Sequence, residues 1–149
     1  MSTFSDVCIF LSKVEDVTCS DENIRTLLSP EEISKIKLEY PLIPQEYLSY
    51  LEEVGSGSFR ECQYMVYNNL MEPEFFFGEG ITSKLGKKIL CFGDNFSGDP
   101  AGFLPDENWK IVVIWHDDLS INYTNQTFSE FIRKAMCMGI NGIDLMEEF

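Results

Sequence analysis

The stretch Ile111-Val112-Val113-Ile114-Trp115 constrains this chain more than any other. Its residues are β-branched or aromatic and the apolar run is unbroken, so it reads as a strand. A strand with one wet face alternates apolar and polar residues. One without alternation has to be covered on both faces. The rest of the chain must therefore supply apolar partners for both surfaces of a sheet.

The surrounding pattern supplies candidates. Ser29-Pro30-Glu31-Glu32 reads as a helix start, with Ser29 at the N-cap, Pro30 at the first helical position and Glu32 closing a capping box. Ile33 and Ile36 follow, and the helix has to stop before Pro41. Pro44 opens a second helix, from about Gln45 to Val54, with Tyr47, Leu48, Leu51 and Val54 on one face and Gly55 placed to end it. Gly55-Ser56-Gly57-Ser58 reads as a tight loop. Strand-like runs then follow at Tyr64–Tyr67, Glu74–Phe77, Ile89–Gly93, Ala101–Leu104 and Ser120–Tyr123. Thr127 and Glu130 form a second capping box, and Phe128, Phe131, Ile132, Ala135 and Met136 recur at helical spacing up to Gly139. Ahead of Ser29, one short helix capped by Ser5 and another from about Asp21 to Leu28 are expected. Segregated helices and strands predict an α+β fold rather than βαβ units. N-terminal helices precede a central antiparallel or mixed sheet of about five to six strands, with a C-terminal helix packed on it. No repeat or linker divides the chain, so residues 1–149 are expected to form a single domain.

Charge narrows the function classes. Twenty-five acidic residues face eleven basic ones, for a net charge of −14. Nucleic-acid affinity rests on Lys and Arg neutralising phosphates, and anionic membranes repel an acidic surface, so neither partner is expected. A cationic protein is favoured, because opposite fields steer encounter. The five cysteines are odd in number and unclustered, which suits reduced thiols in a cytoplasmic protein. Val7–Leu11 lacks a basic flank and is too short for a signal peptide or a membrane span. The N-x-T triplets at Asn122 and Asn125 are then chance matches or turn residues rather than glycosylation sites.

Catalytic patterns fail one by one. Between Gly80 and Gly86 stand five residues where a phosphate loop needs four, and Lys88 follows Lys87 where that loop has Ser or Thr. Gly55-Ser56-Gly57 follows a helix rather than a strand, so it is no nucleophile elbow. His116 is the only imidazole, and nothing in the sequence sets a nucleophile beside it. The stretch Asp94–Asp99 lacks the alternating ligands and terminal Glu of a calcium loop. No catalytic residue, metal or cofactor is expected.

Several stretches, in order, resemble one family. Pro44, Tyr47, Leu48, Leu51 and Gly55 are similar to its P-x-x-Y helix and glycine turn. Leu90–Asp99 resembles its hydrophobic strand followed by G-D-x-x-G-D. Val112–Asp118 resembles its V-x-x-W/Y strand, and Phe128, Glu130 and Phe131 its closing helix. From about residue 29 to 136 the chain is identified as a member of the SUKH superfamily, among Smi/Knr-like proteins. It departs at Val54-Gly55-Ser56-Gly57, where the family has Asn-Gly-Gly. The resemblance implies a sheet flanked by helices and no catalytic residues. It also implies an immunity-type binding protein that neutralises a cognate polymorphic toxin, nuclease-like and basic. The alternative is a general interaction scaffold without a toxin.

Partner binding is expected on the loops holding Asp94, Asn95, Asp99, Asp106, Glu107, Asp117 and Asp118, since loops carry binding more often than strands. Trp115 is a candidate anchor, although burial in the core is the expected place for a Trp that ends an apolar strand. Glu52-Glu53 reads first as a solvated helix face and second as a binding patch. Between Ile89 and Asn125 six acids face Lys110 alone, which places part of the charge near these turns; a second run, Glu46 to Glu79, has seven acids against Arg60 alone.

Overall fold

A computed structural model describes residues 3–16, 18 and 23–148 of the chain. Helix α1 (Ser5–Val14) is followed by strand β1 (Arg25–Thr26). Helices α2 (Pro30–Glu39) and α3 (Gln45–Glu53) come next. Strands β2 (Ser56–Phe59) and β3 (Tyr64–Met71) lead to two short helices, α4 (Glu74–Phe77) and α5 (Ile81–Leu85). Strands β4 (Leu90–Asp94), β5 (Pro100–Leu104), β6 (Lys110–Ile114) and β7 (Ile121–Tyr123) precede helix α6 (Phe128–Ala135). The strands form one seven-stranded sheet in chain order, and every neighbouring pair is antiparallel. The α+β expectation holds, with more strands than expected.

Both capping boxes form. Ser29 Oγ accepts from the Glu32 N–H while Glu32 accepts from the Ser29 N–H, and Thr127 and Glu130 do the same at the start of α6. These reciprocal bonds satisfy N–H groups that a helix start leaves free.

The sheet is covered on both faces, as the unbroken run in β6 requires. Ile111 and Val113 face the large core under α1, α2, α3 and α6. Val112 and Ile114 face a smaller core with Tyr67, Ile89, Cys91 and Leu104. Phe76, Phe77 and Leu85 from α4 and α5 close that second layer. Strand alternation explains the split, since successive side chains point to opposite faces.

Five expectations are corrected. Glu74–Phe77 is a helical turn, not a strand. Phe76 and Phe77 donate their N–H groups to the Pro73 carbonyl, and Gly78 at φ 87° ends the turn. There Phe76 stacks on Tyr67, with ring centroids 5.7 Å apart, so tertiary packing overrides the β-propensity of three phenylalanines. Ser56–Ser58 is strand, not loop, and pairs with β1 and β3. Gly57 allows it: a Cβ there would stand 1.9 Å from the Ile24 carbonyl oxygen, and its φ is +127°. The expected helix from Asp21 to Leu28 is replaced at Arg25–Thr26 by β1, and its first residues lie outside those described. Ser5 lies inside α1, whose N-cap is Phe4. Helix α6 also stops earlier than Gly139, because Cys137 takes the left-handed conformation (φ 59°) while Met138 donates to the Arg133 carbonyl.

Candidate partner-binding site

The antiparallel order decides which turns meet. The turn from β4 to β5 (residues 95–99) and the turn from β6 to β7 (residues 115–120) leave the sheet at the same end, because β5 begins beside the end of β6. The link from β5 to β6 leaves at the other end. Asp94, Asn95, Asp99, Trp115, Asp117 and Asp118 are therefore brought together. Asp106 and Glu107, in the Pro105–Glu107 turn, are not. Glu107 is bound at its own end by Lys87 at 2.7 Å and by the Tyr123 hydroxyl at 2.9 Å.

At the shared end, the carboxylates shape the loops that carry them. Asp94 accepts from the Phe96 N–H at 2.7 Å and from the Tyr67 hydroxyl. Asn95 accepts from the N–H groups of Ser97 and Asp99, at 2.9 and 3.2 Å. Asp118 accepts from the Ser120 N–H at 3.0 Å, and hydrogen bonds from Ser120 hold its carboxyl below the usual range. Asp99 ties the two turns together, accepting from the His116 N–H (2.9 Å), the His116 ring Nδ1 (2.7 Å) and the Asn95 amide (3.1 Å). Gly98 lets the turn close against the His116 ring, because its φ of +97° is a conformation that favours glycine. Asp117 lies 3.0 Å from His116 Nε2, and its side chain is 85% exposed.

Trp115 corrects an expectation. The strand ends at Ile114, and Trp115 opens the turn with 52% of its surface exposed, not in the core. Phe96, which the sequence reading passed over, is 47% exposed at the neighbouring turn with φ 63°. Its signal was faint: a lone aromatic between Asn and Ser in a polar turn. Two exposed aromatics thus stand among Asp94, Asp99, Asp117 and Asp118, an arrangement of apolar anchors with a charged rim. Glu53 does other work, since its carboxylate accepts from the Phe4 N–H at 2.7 Å and fastens α1 to α3.

The Asp99–His116 contact carries a pH prediction. Its hydrogen bond to Asp99 raises the His116 pKa above that of an ordinary imidazole. A raised folded-state pKa gives stabilisation that is complete below the unfolded value and is lost as pH rises through the folded value. In a proton NMR titration the single imidazole should show an inflection above the usual histidine range, and Asp99→Asn should bring it back down. An unchanged inflection in Asp99→Asn would disprove the coupling.

Among the described residues, no group of three or more His, Cys, Asp or Glu side chains is placed to hold a metal ion. No helix among them is long and apolar enough to cross a membrane. The sequence pattern of the SMI1 / KNR4 family (SUKH-1) matches residues 27–134. The chain belongs to this family. No curated protein and no solved structure matches it. The SMI1 / KNR4 match runs from the end of β1 almost to the end of α6, so it takes in both turns of the acidic end. Helix α1 and the residues after 134 lie outside it.

Proposed function

We propose that this SMI1 / KNR4-family domain is an immunity-type binding protein that neutralises a basic, nuclease-like toxin by protein–protein contact. The observation that carries the reading is the acidic hairpin end, where exposed Trp115 and Phe96 stand among Asp94, Asp99, Asp117 and Asp118. A nuclease has to attract phosphates, so its working surface is cationic. Carboxylates on rigid turns compete for that surface, and the chain's net charge of −14 steers the approach. The aromatic rings then supply the desolvated contacts that slow dissociation.

The test pairs this protein with the toxin domain encoded beside its gene. A stable complex that blocks nuclease activity is the expected result. Its association rate should fall by about tenfold or more from low to high salt. Asp117→Asn with Asp118→Asn should slow association, whereas Trp115→Ala should speed dissociation, costing about 2 kcal/mol or more. A toxin that stays fully active with the protein in excess refutes the reading. A tight complex without inhibition would return the domain to a general interaction role.

A further inference from the structure

Strand β7 leaves one side of the sheet open. Thr124 donates its N–H to the Ile111 carbonyl, Trp115 donates to the Ser120 carbonyl, and Asn122 lies opposite Val113. Hydrogen-bonding groups alternate along a strand. Ser120, Asn122 and Thr124 therefore turn theirs toward β6, and Ile121 and Tyr123 turn theirs outward. No described strand pairs with that edge. The segment Ile121–Tyr123 carries no proline and no charge to guard it.

Beside this edge the helix-covered face of the sheet is not closed. A cavity of about 520 Å3 is bordered by Val113, Tyr123, Phe131 and Ala135. A second, of about 470 Å3, is bordered by Trp109, Tyr123, Phe128 and Glu130. Tyr123 and Gln126 border both, so the two cavities form one groove along β7 against α6. An open strand edge with side-chain pockets beside it is how a sheet accepts an extended peptide.

One buried group points the same way. Tyr64 lines the first cavity, is 6% exposed, and its hydroxyl is buried with no hydrogen-bond partner among the described residues. The ring lies against β4 at Gly93, where a Cβ would stand 2.9 Å from its Cε1, and Val113 of β6 and Phe131 of α6 border the same cavity. An unpaired buried hydroxyl is destabilising unless something supplies its partner.

We infer that the groove between β7 and α6 binds an extended, cationic segment of a protein partner. The segment adds a strand to the outward groups of Ile121 and Tyr123, and one of its side chains gives the Tyr64 hydroxyl a hydrogen-bond partner. Charge selects the occupant. Glu46 and Glu130 border the groove against Lys110 and Lys134, and Lys87 offsets the Glu107 bound to Tyr123; Asp117 and Asp118, standing ahead of β7, leave the balance negative. The inference rests on the reading of the domain as a protein binder.

The probe is a display library of short random peptides selected on the full-length protein. Enriched peptides should be rich in Lys and Arg and bind saturably. Tyr123→Pro removes an outward N–H without breaking a bond to β6, and should weaken them by about tenfold or more, the loss expected for a main-chain pair. Tyr123→Phe keeps that N–H and should bind like wild type. Tyr64→Phe should weaken binding while leaving thermal stability equal or higher, which a merely structural hydroxyl would not do. No enrichment, or peptides that bind Tyr123→Pro as tightly as wild type, would overturn the inference. If toxin inhibition survives Tyr123→Pro, the proposed function stands and the groove does not serve it.

Discussion

Phe92→Ala is expected to lower the unfolding free energy by about 3–5 kcal/mol in urea denaturation. Phe92 is fully buried at the centre of the helix-side core. Its ring centroid lies 4.8 Å from Phe103, 5.2 Å from Phe128, 5.4 Å from Phe131 and 6.1 Å from Tyr47. These rings come from β5, α6 and α3, so a single side chain joins the sheet to two helices. Truncation removes its transfer energy, leaves a void walled by stiff aromatics that collapse poorly, and forfeits several edge-to-face contacts. Natural domains hold only about 5–15 kcal/mol in total, so the variant should be close to unfolding at body temperature. Phe92→Leu keeps most of the volume and should cost clearly less. A cost below about 1 kcal/mol for Phe92→Ala would mean that the core relaxes far more than this geometry allows.

Arg60→Ala is expected to cost a similar amount, about 3–5 kcal/mol, through a different mechanism. Arg60 pairs with Asp144 through two hydrogen bonds of 2.7 and 3.0 Å, and it donates to the Met136 carbonyl at 3.1 Å. The side chains are only 7% and 9% exposed. Removing the guanidinium leaves a buried carboxylate without its counter-charge, which is worse than never having buried the pair. The turn that carries Arg60 is itself left-handed. Arg60, Glu61 and Cys62 all have positive φ, at 49°, 55° and 63°. Each left-handed residue costs roughly 1–2 kcal/mol unless its surroundings hold it. Here the Glu15 carboxylate accepts from the Arg60 N–H at 2.9 Å, and Asn23 accepts from the Glu61 N–H at 2.8 Å. Glu15, Asn23, Met136 and Asp144 all lie outside the matched family region, so this one turn fastens both flanking segments to the family core.

Hydrogen exchange separates this effect from a general loss. In Arg60→Ala the amides of residues 137–146 should exchange faster than those of β4–β6. The arginine also holds the Asp144 carboxyl below the usual carboxylate range. A lowered folded-state pKa gives stabilisation that is present above the unfolded value and lost as pH falls through the folded one. Wild type should therefore lose stability over that acid window, and Arg60→Ala should lose less there. Equal acid sensitivity in the two proteins would contradict the pairing.

Much of this architecture was legible before any coordinates. Ser29 with Glu32, and Thr127 with Glu130, announced their helices because a capping box needs only residues three apart. Ile111–Ile114 announced a strand covered on both faces because side-chain alternation is a local property. Several misreadings turn on packing or pairing that no local pattern states. Phe76 meets Tyr67 only when α4 folds under the sheet. Gly57 becomes strand only because β1 lies against it. No pattern around Trp115 states that β6 ends one residue earlier. The left-handed turn at Arg60 held no signal at all, since its partners stand as far away as Glu15 and Asp144.

The acidic loops show the same division. Composition alone determined that the chain is strongly anionic, spacing placed several carboxylates in turns, and a set of ordered motifs carried the resemblance to the SMI1 / KNR4 proteins. Only the tertiary structure decided which of those carboxylates stand together. In an antiparallel meander successive turns leave at opposite ends of the sheet. Asp94, Asp99, Asp117 and Asp118 therefore meet, with Trp115 and Phe96 exposed among them, while Asp106 and Glu107 lie at the far end beside Lys87. That sorting comes from strand order, which no residue encodes by itself.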